Sequence, residues 1–378
     1  MPRLFLNLRL GWNRNGFWLF LLSCLTVRLV LFGFACCLPQ PVDEGEFITH
    51  VPTVTGFVAG APALSTDAED FGWAGPAAVQ DMAPWADAQP KFELTDELGQ
   101  RIWQDNESAN VRLWQMVAHA GGEYPNEAYQ ETGDCTSWGT ADAIVNTQGG
   151  QAHRGDPIEI KRPFQPFTYG AGRVWIWAPQ IGGARRRPGA GCTGAAVAKA
   201  SQEFGVVPYG TPGLPEYSGS LADTWGRKGP PEELKAIAAQ HKVRTVSRIT
   251  TIAEARGAIC NYYAFTIASD WGNPKGKYQK LDGRLVGKRT GVWNHQMCVN
   301  GYDGSASSGR KYFHIQNSWP LSQHPTPIDD SPAGGFWVED DELEYILAAG
   351  DSWAYSDFEG FPARNTDLDF SPLKPKPR

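Results

Sequence analysis

Gln130-Glu131-Thr132-Gly133-Asp134-Cys135-Thr136-Ser137-Trp138 is the stretch on which the reading of this chain turns. Gly133 breaks what precedes it, and Asp134 is a residue type that starts helices. Trp138, Ala141, Ile144 and Val145 then recur on one side as far as the Gly149-Gly150 pair. The spacing predicts a helix with a thiol at its N-terminus, where unpaired amides and the helix dipole favour thiolate over thiol. The Asp134 carboxylate opposes that preference if it points inward. A thiol nucleophile also needs a base, a group that orients the base, and donors for an oxyanion.

Candidates for each lie downstream. His295, within Trp293-Asn294-His295-Gln296-Met297-Cys298-Val299, precedes a strand-like apolar run that can hold an imidazole rigidly. Asn317 ends the run Tyr312–Gln316 and is followed by Ser318-Trp319, so its amide oxygen can accept the imidazole N–H and fix the ring. The seven cysteines are an odd and sparse set for 378 residues, which excludes a disulfide-stapled scaffold. Cys192, Cys260 and Cys298 sit in apolar segments and read as small core residues. The remaining histidines have no ligand-like spacing, and the acidic groups Asp329-Asp330 and Asp340-Asp341-Glu342 lack a calcium-loop pattern and read as loops and a helix start. Neither a metal nor a cofactor is expected.

Taken together, the segments resemble the papain-like cysteine peptidases, a bacterial or phage-type branch being the nearest match. Gln130 to Trp138 is similar to that family's glutamine-to-cysteine segment, Asn294-His295 with the run ending at Gly301-Tyr302 to its histidine segment, and Asn317-Ser318-Trp319 to its asparagine segment. Gly191-Cys192-Thr193-Gly194-Ala195, with Val207-Pro208-Tyr209 beyond the next helix, resembles its Cys-x-Gly-Gly region. The resemblance implies Cys135 as nucleophile, His295 as acid and base, Asn317 as orienter and Gln130 as oxyanion donor. It implies a substrate-binding wall at Gly194, a cleft lined by Asn294 and Gln296, and Trp319 as a shield over the Asn317–His295 contact. The activity implied is endopeptidase cleavage of a polypeptide through a thioacyl-enzyme. Two departures keep alternatives open. Thr136 and Ser137 intervene before Trp138, which would put Ser137 at the nucleophile position if the tryptophans are aligned, and Gln130 stands one residue closer to Cys135 than is usual. The alternatives are a catalytically inactive binding or structural module, or an amidase or transpeptidase acting on peptidoglycan-type cross-links.

Working outward, helices are expected from Thr193 to Gly205, from Pro230-Pro231 to about His241, and from a capping box at Thr251-Ile252-Ala253-Glu254. Helical spacing is read through Leu94, Leu98, Ile102, Trp103, Val111, Leu113 and Val117. After Cys260 the runs 263–269, 296–302, 311–317 and 335–339 read as antiparallel strands. The expected class is α+β and papain-like, with a helical first subdomain, an antiparallel barrel-like second one, and the active-site cleft between them.

The composition agrees. Hydrophobic residues at 42% and charged residues at 20% exclude wholesale disorder. Lys+Arg 34 against Asp+Glu 41 gives a net charge of −7, which argues against a nucleic-acid partner. Arg185-Arg186-Arg187 reads as a solvated loop. Residues 1–42 carry an apolar run over 17–37 that reads as a signal or anchor with membrane contact, or as a mis-called translation start. The first reading makes the protein secreted or membrane-anchored, the second cytoplasmic or virion-associated. Residues 43–120 are expected to be a loop-rich arm or pro-region, 121–360 the catalytic domain, and 361–378 a Pro/Lys-rich tail.

Overall fold

The longest described helix begins at the quoted stretch. In the computed structural model, which describes residues 47–48 and 72–364 apart from 97, 99, 103–105, 123–128, 184–189 and 274–275, Cys135–His153 forms one helix. The helices used below are α1 (Leu113–His119), α2 (Cys135–His153), α3 (Gln165–Gly170, continuing through a π turn over Ala171–Trp177), α4 (Gly194–Glu203), α5 (Gly219–Lys228), α6 (Leu234–Ala238), α7 (Ile252–Cys260) and α8 (Asp340–Leu347). The run 17–37, the triple-arginine loop and the tail beyond 364 lie outside the described residues.

Helix α2 is buried on every side from Cys135 to Thr147, so its polar groups must be bonded within the protein. Most are. The Thr140 hydroxyl donates to the Thr136 carbonyl, Asn146 Nδ2 to the Asp142 carbonyl, and Arg162 Nη2 lies 3.0 Å from Asp142, while the Thr136 hydroxyl is left unmet. Gly139 lets the helix lie flat on the strand that carries His295, since a Cβ there would stand 3.1 Å from the Met297 carbonyl oxygen. Asp134 occupies the position before the helix without capping it by its side chain; its carboxylate turns instead to Trp138 and Tyr217. Thr193, near which a helix is expected to begin, caps α4, and Thr251 forms the expected capping box, reciprocal with Glu254.

Among the described residues ten strands form one sheet. They are β1 (Phe47–Ile48), β4 (Asn110–Arg112), β5 (Thr245–Arg248), β6 (Phe265–Gly272), β7 (Tyr278–Leu281), β8 (Arg284–Gly287), β9 (Gly291–Asp303), β10 (Tyr312–Gln316), β11 (Gly335–Glu339) and β12 (Trp353–Ser356), while β2 (Leu94–Thr95) and β3 (Arg101–Ile102) pair separately. The order is β1-β7-β8-β11-β10-β9-β6-β12-β5, antiparallel except for β8 beside β11. Strand β9 is the spine. Its first half pairs with β6, and its last residues lie between β10 and β4. The architecture is α+β, as the sequence implies.

The helical reading of 94–112 is overturned. Leu94 and Ile102 face each other across the β2–β3 pair, Leu98 stands 81% exposed between them, and Val111 lies in β4; helix appears only from Leu113. Apolar residues about four apart fit a hairpin as well as a helix, and here strand pairing decides, between β2 and β3 for the first part and between β4 and β9 for the last. The helix expected from Pro230 is shorter, Leu234–Ala238. From residue 78 onward the chain also enters the main core, through Ala78, Met82, Phe92, Leu94 and Leu113.

Candidate active site

Helix α2 and strand β9 bring together the first two residues of interest. Cys135 is fully buried at the first turn of α2, and its sulfur accepts the Gln296 backbone N–H at 3.3 Å. His295 is the residue before Gln296, held in register opposite Ser269 of β6. Its Nε2 lies 2.7 Å from Asn317 Oδ1 at the end of β10, so the neutral or charged ring donates to the amide oxygen. The Trp319 ring packs on the imidazole with centroids 4.7 Å apart, and Trp293 closes the other side of Trp319 at 4.4 Å. These apolar faces keep water from the His295–Asn317 hydrogen bond.

Gln130 reaches the same corner from the other direction. Its backbone N–H donates to the Ser318 carbonyl, its Oε1 accepts from the Ser318 hydroxyl at 2.8 Å, and its Nε2 donates to the Thr132 carbonyl at 3.0 Å. Ser318 also donates its backbone N–H to Asn317 Oδ1, so one serine links Gln130 to Asn317. Ser137 is turned away, its hydroxyl donating to the Asp134 carbonyl at 2.8 Å.

The remaining expected residues divide. Asn294 is half-buried at the surface of the site and offers its carbonyl outward. Gln296 lies inside, its Nε2 donating to the Thr136 carbonyl at 2.8 Å, and it ties β9 to α2 rather than lining an opening. Gly194 also lies below the surface, where a Cβ would strike Gln296 Oε1 at 2.5 Å; backbone pairing along that wall is made two residues earlier, by Cys192.

That pairing involves a segment with no periodic signal. Gly72-Trp73-Ala74-Gly75 crosses directly over Cys135. Cys192 donates its N–H to the Gly72 carbonyl, Ala74 donates to the Cys192 carbonyl, both at 2.9 Å, and Trp73 donates to the Asn294 carbonyl at 3.2 Å. Gly72, at φ +110°, lies so close to Gly133 that a Cβ would stand 2.5 Å from its carbonyl carbon. The Trp73 ring packs with Cys135 and Ala268, and its Nε1 donates to Asp351 at 2.8 Å. Asp351 also accepts from Gly194 N, Ala195 N and Trp353 Nε1, each at 2.7 Å.

Burial sets the electrostatics. With Trp73 in place, exclusion of water pushes the Cys135 thiol well up, against the smaller opposing effect of the Gln296 N–H. Burial likewise raises Asp134 to about 8, resisted by the hydrogen bonds from Tyr217 and Trp138. His324, whose ring lies 6.2 Å from that of Trp319, is pushed down to about 4 by burial and then by its proximity to His295. An open pocket on another face, lined by Ile144, Gln151, Lys161, His241 and Asp357, contains none of these residues and no thiol.

No family model and no curated protein matches the chain by sequence. Among solved structures it is similar to xylellain, a cysteine protease from Xylella fastidiosa, with 18% identity, 72% of this chain and 97% of that one covered, and a TM-score of 0.43. It is similar to procathepsin B of Trypanosoma congolense at 10% identity, 71% and 82% coverage and a TM-score of 0.46. Digestive procathepsin L 3 of Tenebrio molitor gives 11%, 74% and 79%, and 0.42.

Proposed function

We propose that the protein is a cysteine endopeptidase whose cleft is filled by its own chain. The observation that carries this is the convergence of three distant segments. The thiol at the start of α2 lies against the backbone of β9, and the adjacent His295 is fixed by Asn317 at 2.7 Å. In the open site, Cys135 Sγ attacks the scissile carbonyl carbon as thiolate. The carbonyl π pair moves to oxygen, where the Cys135 N–H at the helix N-terminus and the Gln130 amide, once released from Thr132, stabilise the oxyanion. On collapse the C–N bond breaks, and imidazolium His295 gives its proton to the departing amine. Water then attacks the thioester, giving its proton to His295 and releasing acid and thiolate. Asn317 keeps the ring aligned through both transfers. No residue in this sequence of steps requires a cofactor.

The pro-region reading of residues 43–120 narrows on the same grounds to the segment around Trp73, since it is Gly72–Gly75 that covers the thiol. The test is alkylation of the full-length, reduced Trp73→Ala chain with limiting iodoacetamide at pH 6, followed by peptide mapping. An ordinary thiol is almost wholly protonated there. Rapid labelling confined to Cys135 and abolished by adding His295→Ala is expected. Slow or indiscriminate labelling overturns the reading in favour of a non-catalytic binding module.

A further inference from the structure

The way Trp73 is held describes the ligand that belongs in its place. Its indole is 1% exposed, seated beside Cys135 and Ala268 with Val79 and Ala349 at the margin. Its backbone is gripped on both sides, by Cys192 and by the Asn294 carbonyl. A close-packed apolar wall alone would accept any large side chain. The floor is different, because the one polar atom of the indole meets a fully buried carboxylate, Asp351, at 2.8 Å.

Asp351 is fixed independently of Trp73. Two of its hydrogen bonds come from the first amides of α4, Gly194 and Ala195, and a third from Trp353 Nε1 in β12. The helix N-terminus offsets the carboxylate charge. One acceptor position is left facing the pocket, and a ligand that brings a single N–H satisfies it. A phenyl ring leaves it unmet at the cost of a buried, unpaired acceptor. An ammonium would pair with the carboxylate charge, but it brings three donors to one acceptor among otherwise apolar side chains, so two of its hydration bonds are lost without replacement.

We propose that this Asp351-floored pocket is the main specificity determinant of the site and that it selects an indole: the substrate is a polypeptide with a tryptophan seated where Trp73 now lies. The inference rests on the peptidase reading, of which it names the substrate class. Trp73 is then the chain's own competitor for the pocket.

The test measures binding separately from chemistry. In the full-length Trp73→Ala protein, calorimetry compares acetyl-Gly-Trp-Ala-amide with the phenylalanine and lysine analogues, and each peptide is scored for protection of Cys135 against iodoacetamide. The tryptophan peptide is expected to bind at least tenfold more tightly than either analogue, the discrimination appropriate to one hydrogen bond to a charged acceptor, and to protect Cys135. Equal binding of the phenylalanine peptide, a preference for lysine, or no binding of any peptide overturns the proposal. Should Trp73→Ala not fold, Trp73→Phe keeps the ring and removes the N–H. Its Cys135 should then be alkylated faster than in the unaltered protein and be protected by the tryptophan peptide, and no change in rate refutes the role of Asp351. If Cys135 reacts no faster than the other thiols while the tryptophan peptide still binds selectively, the peptidase reading fails and the pocket stands.

Discussion

Asn317 illustrates how much a single side chain carries. It accepts from His295 and from its neighbour Ser318, so replacement by alanine frees the ring to rotate and leaves two buried donors unmet. In the Trp73→Ala background, Asn317→Ala should lower kcat by roughly 10²-fold, within the range of a positioned acid–base group, and lower stability by about 1–3 kcal/mol for the buried donors it strands. Steady-state kinetics on a tryptophan-containing peptide checks this. His314 and His324 make a different prediction. Burial lowers them to about 3 and about 4, against about 6.5 in the unfolded chain. The unfolded state therefore takes up protons first as pH falls. The stability of the neutral rings is complete above about pH 6.5 and is lost progressively toward pH 4. Melting curves should show this fall, and it should be shallower for His324→Gln. Asp134 has the opposite sign. Its buried carboxyl, raised to about 8, holds its proton when folded, so stability declines as pH rises from about 4 to 8, and the advantage of Asp134→Asn over the parent should grow across that interval.

At the scale of elements, the site depends on how closely α2 approaches its neighbours. Gly149 packs on α1 so tightly that a Cβ would stand 2.5 Å from Val117 Cγ2 and 2.9 Å from its backbone nitrogen. Gly149→Ala should cost about 1–3 kcal/mol, read from chemical denaturation, because backbone on the far side cannot yield easily. Thr251→Ala should cost about 1 kcal/mol through loss of the α7 capping box. These elements also mark what was legible in the sequence. Caps at Thr193 and Thr251 and the runs that became β6, β9, β10 and β11 carry local signals, as does the cysteine, histidine and asparagine set. Segment 94–112 did not, because Leu94, Leu98 and Ile102 satisfy helical and hairpin spacing alike, and what distinguishes them is the mutual pairing of β2 and β3 and, further on, the pairing of β4 with β9. Trp73 and Asp351 were illegible for another reason. They lie 278 positions apart, in a Gly-rich stretch and after a helix, and neither has a neighbour that announces the other.

Across the whole molecule, the cleft cover and the core are continuous in sequence but not in strength. Gly72–Gly75 is held mainly by three backbone hydrogen bonds and one indole, whereas residues 78–94 contribute to the main core. Such a segment should open below the global transition. Titration with denaturant should expose Cys135 to alkylation while Cys260 and Cys298 remain protected. Simultaneous exposure of all three would show that the cover and the core unfold as one unit.

The span between Trp73 and Asp351 has a consequence during synthesis. At roughly 5 to 20 residues per second, the ribosome needs about 14 to 56 s to make the 278 positions that separate them. During that interval the indole nitrogen has no acceptor, and neither have the first amides of α4. Cys135, His295 and Asn317 have all been made before Asp351 appears. A nascent chain halted between residues 317 and 351 would thus hold every reacting group and the backbone partners of the cover, Cys192 and Asn294, but not the carboxylate that holds its indole. The last restraint on the indole arrives only once residue 351 has been made.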